Sequence, residues 1–414
     1  MAKVDRVAIL SVHTCPVVVL GGKKTGGMNV YVRDLSREIA RRGVAVDVFT
    51  RAHDSSAPHI DDTNLGPGSR VIHIPTGPET PLSSEAITEF VPDFVAGLKA
   101  FAGREGARYD VIHSHYWLSG WAAEALRDAW GVPVLHMFHT LGHMKNRVAE
   151  HPDEMEAPIR VQTEARLLQT VDCVVASTPA ERAQMVWLYD ADMRKIKIIP
   201  PGVDTKRFHP LPPEEARREI GVPCDQHMRL FVGRIEPLKG VETLIRAAGL
   251  LYQERQDICL VVIGGDGEVD ESRGLARLKE LGKELGVGDM VTFLGARDQD
   301  RLQFYYSAAE VLVMPSNYES FGMVALEAMA CGTPVIASEV GGLAYLVQDG
   351  VTGFHVPYRD PDELAGKISL LITEPSLRAE MSEAAVKHAQ AFDWARIADQ
   401  VLDVYEGLSS SNSR

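Results

Sequence analysis

"FVGRIEPLKGVETLIRAA", Phe231 to Ala248, reads as an apolar strand, a short loop and a helix beginning near Val241. A strand that feeds a helix through a few polar residues is half of a βαβ unit. The same alternation runs along the whole chain. Apolar runs precede this stretch in "RVAILSV", "VAVDVFT", "RVIHIP", "DVIHSHY", "VPVLHMFH" and "CVVAST", and follow it in "CLVVIGG", "VTFLG", "VLVMPS" and "PVIAS". These runs are continuous rather than alternating, the pattern of strands covered on both faces. The fold class is therefore α/β with parallel sheets.

The pattern restarts in the middle of the chain. "IIPPGVDTKRFHPLPPEEARREIGVP", residues 198–223, is rich in proline, lacks a long period and reads as a linker between domains. The expected organisation is two Rossmann-like, doubly wound domains facing across a cleft, over 1–205 and 206–390. A C-terminal segment, 391–414, is expected to return to the first domain as a helix, with "SSSNSR" as a disordered tail. Ligands of such sheets bind beyond the carboxyl ends of the strands, so the cleft is the default site.

With 414 residues the chain suits two cores of ordinary size. A formal charge of −14 supplies no broad basic field, which argues against a nucleic-acid or anionic-membrane partner. The five cysteines show no CxxC spacing and read as buried thiols in a reducing, cytoplasmic setting. "VAILSVHTCPVVVL" imitates a secretory leader, but His13, Thr14 and Pro16 interrupt it and no small-residue cleavage pattern follows. No apolar stretch approaches the ~20 residues that span a bilayer.

Three motifs carry chemistry. In "HTCPVVVLGGKKTGGMNVYVRDLSREIARRG", Gly26 and Gly27 stand where a helix begins, and bare backbone N–H groups at a helix start favour an anion. The alternative is a tight turn with glycine for conformational reasons; the motif is not a dinucleotide fingerprint. Arg234 and Lys239 follow a strand and precede a helix, a place from which two cations can clamp a phosphate. In "NYESFGMVALEAMACGTPVIAS", Glu319 and Glu327 stand in a segment otherwise made of small and apolar residues. Eight helical positions turn by ~800°, about 80° from the starting direction. With Glu319 in the loop before the helix and Glu327 within it, both acids can meet one ligand and accept hydrogen bonds from its hydroxyls.

Together these motifs resemble the retaining nucleotide-sugar glycosyltransferases of family 4, which have the GT-B two-domain fold, over nearly the whole chain. The carriers are "GGMNVYVRDL", "HSHYWLSG", "VGRIEPLKG", "ESFGMVALEAMACGTPVIAS" and "GGLAYLVQDGVTG". Within the family, "GGMNVYV", "HSHYWLSG" and "FHTLGHMKN" look most like the inositol-phosphate N-acetylglucosaminyltransferases of mycothiol synthesis, with the bacterial sucrose-phosphate synthases close behind. The resemblance implies that Arg234 and Lys239 hold the donor diphosphate, Glu327 the ribose and Glu319 the donor sugar. Backbone N–H groups of Phe321, Gly322 and Met323 would also meet the sugar, Gly27 the diphosphate and Arg297 the base. His115 would sit at the reacting centre, with His139 and Thr140 as the next candidates. Tyr116, Thr140 and Arg160 would hold an acceptor phosphate. The family's acceptor lysine is absent: "GPETPLSSEAI" puts Ser84 there, and Lys23, Lys24, Lys145 or Arg147 are the candidates to replace its charge.

The implied activity is transfer of glucose or N-acetylglucosamine from a UDP-sugar to a small phosphorylated sugar or polyol, such as fructose 6-phosphate or inositol phosphate. No cofactor or metal is implied, since cations on the protein replace the metal ion; the DxD triplets at 190–192 and 298–300 lie in polar turns. The implied partners are small molecules only, with a homodimer left open. A UDP-sugar epimerase of the same fold and a non-catalytic nucleotide-sugar-binding protein are the alternatives. The first has no use for "HSHYWLSG", and the second would be expected to lose Arg234, Lys239 or an acid, all of which are present.

Overall fold

The computed structural model describes residues 3–17, 26–221, 227–252, 258–265 and 273–412. The chain divides into two compact units. One contains Gly27–Pro201, the N-terminal strand and the helix Trp394–Asn412; the other is Gly202–Asp393 together with Gly26.

The first unit is built on an eight-stranded sheet. Its strands are β1 (Arg6–Leu10), β2 (Ala45–Arg51), β3 (Ile60–Asp61), β4 (Ser69–Ile74), β5 (Val111–His115), β6 (Val134–Met137), β7 (Cys173–Ala176) and β8 (Ile196–Ile198). They lie in the order β3-β4-β2-β1-β5-β6-β7-β8, parallel except for β3. The helix Gly27–Arg41 carries Leu35 and Ile39 fully buried, and Gly43 follows its end with φ +85°. The helix Trp394–Asn412 packs against Gly27–Arg41 and β5. Arg42 Nε donates to Asp399 Oδ1 at 2.6 Å, and His113 Nδ1 lies 2.7 Å from the Tyr405 hydroxyl.

The second unit has a six-stranded sheet in the order β11-β10-β9-β12-β13-β14. These strands are β9 (His227–Val232), β10 (Ile258–Ile263), β11 (Val291–Phe293), β12 (Val311–Met314), β13 (Val335–Ser338) and β14 (Gly353–Val356). Both faces are covered, as the continuous apolar runs require. Leu230, Leu312, Val335 and Ala337 enter one core, while Phe231, Val311, Val313 and Ile336 from the same strands enter the other.

Some elements depart from expectation. The short strands β3, β8 and β14 have no counterpart among the apolar runs. The proline-rich linker holds a helix, Pro213–Ile220: proline in the first turn gives up an N–H that has no helical partner anyway, and Gly221 ends the helix at φ +72°. The expected disordered tail is helical as far as Asn412, with Ser410 Oγ donating to Glu406 O at 2.7 Å; residues 413–414 lie outside the described residues. Cys15, Cys173 and Cys331 are buried free thiols and Cys259 is half-buried; Cys224 lies outside the described residues. Among the described residues, no helix is long and apolar enough to cross a membrane.

Candidate active site

In the second unit the strand order reverses between β9 and β12, and a parallel sheet offers its ligand crevice where that happens. Arg234 and Lys239 leave β9, and Glu319 leaves β12. The two loops are held together: Asn317 N donates to Leu238 O at 2.8 Å, and Lys239 Nζ lies 2.5 Å from Glu319 Oε2. Gly240 is required here, because its φ is +66° and a Cβ would lie 1.9 Å from Pro315 O. On the other side Gly341, at φ +47°, would put a Cβ 2.0 Å from Glu319 O, which also accepts from Gly342 N at 2.8 Å. The Glu319 backbone is thus pinned while its carboxylate reaches the lysine. Arg234 is partly exposed, its Nη1 2.6 Å from Glu236 Oε1. Phe321 is buried, Gly322 caps the next helix at φ +101°, and Met323 begins it.

Glu327 lies inside that helix and is buried. Its Oε1 accepts from Gln299 Nε2 at 3.0 Å and its Oε2 from the Tyr306 hydroxyl at 2.8 Å. Arg207 Nη1 donates to Gln299 Oε1 at 2.9 Å, and Arg207 Nε sits 3.0 Å from Asp300 Oδ1. Arg297, beyond β11, donates to Ala296 O and the Tyr305 hydroxyl at 2.9 and 3.4 Å. Of the DxD acids, Asp190 caps a helix C-terminus, Asp192 and Asp298 occupy N-cap positions, and Asp300 pairs with Arg207.

In the first unit the reversal falls between β1 and β5, and His115 is the last residue of β5. Gly27 is the first residue of its helix; Asn29 ties that helix start down by donating to Thr14 Oγ1 and Cys15 O, both at 2.8 Å. Gly26 directly precedes it. Tyr116 and His139 adopt left-handed φ values of 74° and 62°, a strain of order 1–3 kcal/mol each that the surroundings must hold. His115 Nδ1 and His139 Nε2 are 3.0 Å apart, and Tyr31 packs edge-on against both rings. Burial, reinforced by neighbouring histidines, pushes His139 down to about 3 and His115 well below its ordinary value. The pair is therefore neutral at physiological pH. His115 Nε2 is buried and has no partner among the described residues.

Tyr116, Thr140 and Arg160 come together on one guanidinium. Arg160 donates to the Tyr116 hydroxyl at 3.1 Å, Thr140 O at 2.9 Å, Thr140 Oγ1 at 2.8 Å and Glu164 Oε1 at 2.8 Å, with Glu156 Oε2 at 3.0 Å. Burial opposes its charge, but Tyr116, Glu164 and Glu156 outweigh that and keep it cationic. Glu156 in turn is held below the usual carboxylate range: burial resists ionisation, but Arg160 and Lys145 prevail. Of the candidates to replace the missing lysine, Lys145 pairs with Glu156 and Arg147 lies over the Trp187 ring, while Lys23 and Lys24 lie outside the described residues. Ser84 starts a short helix, Ser84–Ile87.

Sequence reasoning missed Glu156, Glu164, Gln299, Tyr306 and Arg207. A signal existed for the first two. Glu156, Arg160 and Glu164 are spaced four apart, the spacing that brings charges together along a helix.

The chain is similar to known proteins over nearly its whole length. Residues 25–207 match Glycosyltransferase Family 4, and residues 213–388 match Glycosyl transferases group 1. The chain is 42% identical over 407 residues to D-inositol 3-phosphate glycosyltransferase of Saccharomonospora viridis, covering 97% of this chain and 93% of that protein. D-inositol 3-phosphate glycosyltransferase 2 of Catenulispora acidiphila is also 42% identical, over 408 residues covering 97% of this chain and 94% of that protein. Among solved structures, sucrose-phosphate synthase from Thermosynechococcus elongatus superposes with a TM-score of 0.90 at 36% identity, covering 98% of this chain and 100% of that one. With relatives this similar over nearly its full length, and with the same fold, the chain belongs to the family 4 glycosyltransferases of GT-B fold.

Proposed function

We propose that this glycosyltransferase moves glucose or N-acetylglucosamine, with retention and without a metal ion, from a UDP-sugar to a small phosphorylated sugar or polyol. The observation that carries the acceptor half is the convergence of Tyr116 and Thr140 on the buried Arg160. The named relatives point the same way: one kind is named for inositol 3-phosphate and the other for sucrose phosphate. Fructose 6-phosphate and inositol phosphate are the two acceptors to weigh, and Ser84 in place of a lysine leaves both in play.

On the donor side, Arg234 and Lys239 would neutralise the charge that develops on the departing diphosphate. Glu319, held by Lys239, would accept from sugar hydroxyls, and Glu327 from ribose hydroxyls. Phe321, Gly322 and Met323 would offer N–H groups to the sugar, Gly26 and Gly27 to the diphosphate, and Arg297 would lie by the base. The acceptor oxygen bonds to the anomeric carbon as the carbon–oxygen bond to the diphosphate breaks, and the acceptor's proton passes to the leaving diphosphate. His115, neutral, would hydrogen-bond the transferred sugar through Nε2. The buried free thiols favour a reducing compartment, and we assign the cytoplasm.

The test is incubation with UDP-glucose or UDP-N-acetylglucosamine, with and without fructose 6-phosphate, inositol 3-phosphate and their dephosphorylated forms, in excess chelator. Transfer to a phosphorylated acceptor with retained anomeric configuration is expected. Epimerised donor without acceptor, binding without turnover, or loss of activity in chelator would each overturn the corresponding part.

A further inference from the structure

The carboxylate of Glu327 is held in an unusually determined way. Arg207 can only donate hydrogen bonds, and an ionised Glu327 can only accept them. The Gln299 side chain lies between the two, 2.9 Å from one and 3.0 Å from the other. Its amide has one orientation that satisfies both neighbours: oxygen toward Arg207, NH2 toward Glu327. Arg207 is itself anchored by Asp300 at 3.0 Å. The Tyr306 hydroxyl, fully buried, binds the other carboxylate oxygen. Among the described residues each oxygen thus meets a donor on a different side chain, and the two together set the plane of the carboxylate.

We propose that Gln299, oriented by Arg207, and Tyr306 are positioning residues that aim Glu327 at the two neighbouring hydroxyls of a nucleotide ribose. They thereby set the preference of the enzyme for a ribonucleotide over a 2′-deoxyribonucleotide donor. This rests on the reading of Glu327 as the ribose ligand. A planar group that accepts from two vicinal hydroxyls at once must present both oxygens at a fixed tilt. A freely rotating carboxylate would accept from one hydroxyl as readily as from two, and would discriminate weakly. Arg207 lies in the linker between the units' sheets, so a residue of the connector sets the selectivity of a residue in a helix.

The test measures UDP and 2′-deoxy-UDP binding calorimetrically to the full chain and to Glu327→Gln, Gln299→Leu and Tyr306→Phe. The ratio of the two affinities is independent of the fraction of protein that is folded. The unaltered enzyme is expected to prefer UDP by about tenfold or more, the order of one charge-assisted hydrogen bond. Glu327→Gln should bring the ratio close to one, and Gln299→Leu and Tyr306→Phe should each lower it at least threefold. Tyr306→Phe removes a single hydroxyl and keeps the ring, which guards against a fold defect in the glutamine variant. A tenfold preference that stays within twofold in both variants overturns the positioning role while leaving the ribose reading intact. An unaltered enzyme that does not discriminate, or a Glu327→Gln variant that keeps the preference, overturns the ribose reading and the proposal with it.

Discussion

Replacing Arg160 with alanine separates two roles that one guanidinium can play. Arg160 is 1% exposed and spends its N–H groups on Tyr116, Thr140, Glu156 and Glu164. Truncation leaves Glu164, itself fully buried, with Gly142 N and the Tyr189 hydroxyl as its remaining donors. Removing one member of a buried ion pair costs about 3–5 kcal/mol, since the other charge stays desolvated. For a unit of this size, ~2–4 °C of melting temperature per kcal/mol makes the expected loss about 6–20 °C. Acceptor kinetics read the second role. An acceptor phosphate would have to take over the N–H groups that Tyr116 and Thr140 hold in the free protein; at a temperature where the variant is folded, the ratio of kcat/KM for the phosphorylated acceptor to that for its dephosphorylated form should then fall about 10- to 100-fold, the equivalent of one charge-assisted bond of ~1.5–3 kcal/mol. The ratio cancels any loss of folded protein. A melting shift under about 3 °C would refute the desolvation argument, and an unchanged ratio would refute the phosphate-acceptor reading.

Lys239→Ala should lower kcat by about 10²–10³ through loss of charge stabilisation at the leaving group, while its partly accessible partner Glu319 limits the stability cost to roughly 1 kcal/mol; near-normal turnover would remove Lys239 from the site. Acid should destabilise the first unit early. Burial, with coupling to other histidines, holds His113, His136 and His139 near a pKa of about 3, against 6.5 when unfolded. Below pH 6.5 the unfolded chain takes up protons that the folded unit refuses. Stability is therefore full above that pH and falls toward pH 3, by up to ~1.4 kcal/mol per histidine per pH unit. Denaturant midpoints that stay flat between pH 7 and 4 would show that these rings titrate normally in the fold.

Much of the architecture was legible because buried parallel strands leave an apolar run with no gaps. Leu230 and Phe231 enter opposite cores, and nothing but a two-sided sheet needs both apolar. β3 and β8 were not legible, being two and three residues long and held by neighbours rather than by their own sequence. The helix in the linker was hidden by the prolines that in fact begin it. Within the site, Arg234 and Lys239 announced themselves by position after a strand, and the loop-then-helix placement of Glu319 and Glu327 followed from the motif. Their partners did not. Lys239 meets Glu319 across 80 positions of sequence, and Gln299 meets Glu327 across 28, distances at which only the sheet order decides who touches whom. Tyr116, Thr140 and Arg160 were brought together by resemblance, not by any spacing a reader could see.

The return of residues 394–412 to the first unit has a consequence for the order in which the protein is made. Apart from the short segment that ends at Gly26, made long before it, the second unit is one stretch, Gly202–Asp393, and can finish folding while it emerges from the ribosome. The first unit is synthesised first but must wait. Tyr405, the hydrogen-bond partner of His113, and Trp394, which packs edge-on against Tyr31, are both translated after the whole second unit. Until they arrive, the His113–His115 strand and the helix that carries Tyr31 are left with an uncovered apolar flank, a surface for chaperones to hold. The earlier-born half of the enzyme is thus the later to mature, and a ribosome that stalls before Trp394 releases a chain whose first unit still lacks the partners of His113 and Tyr31.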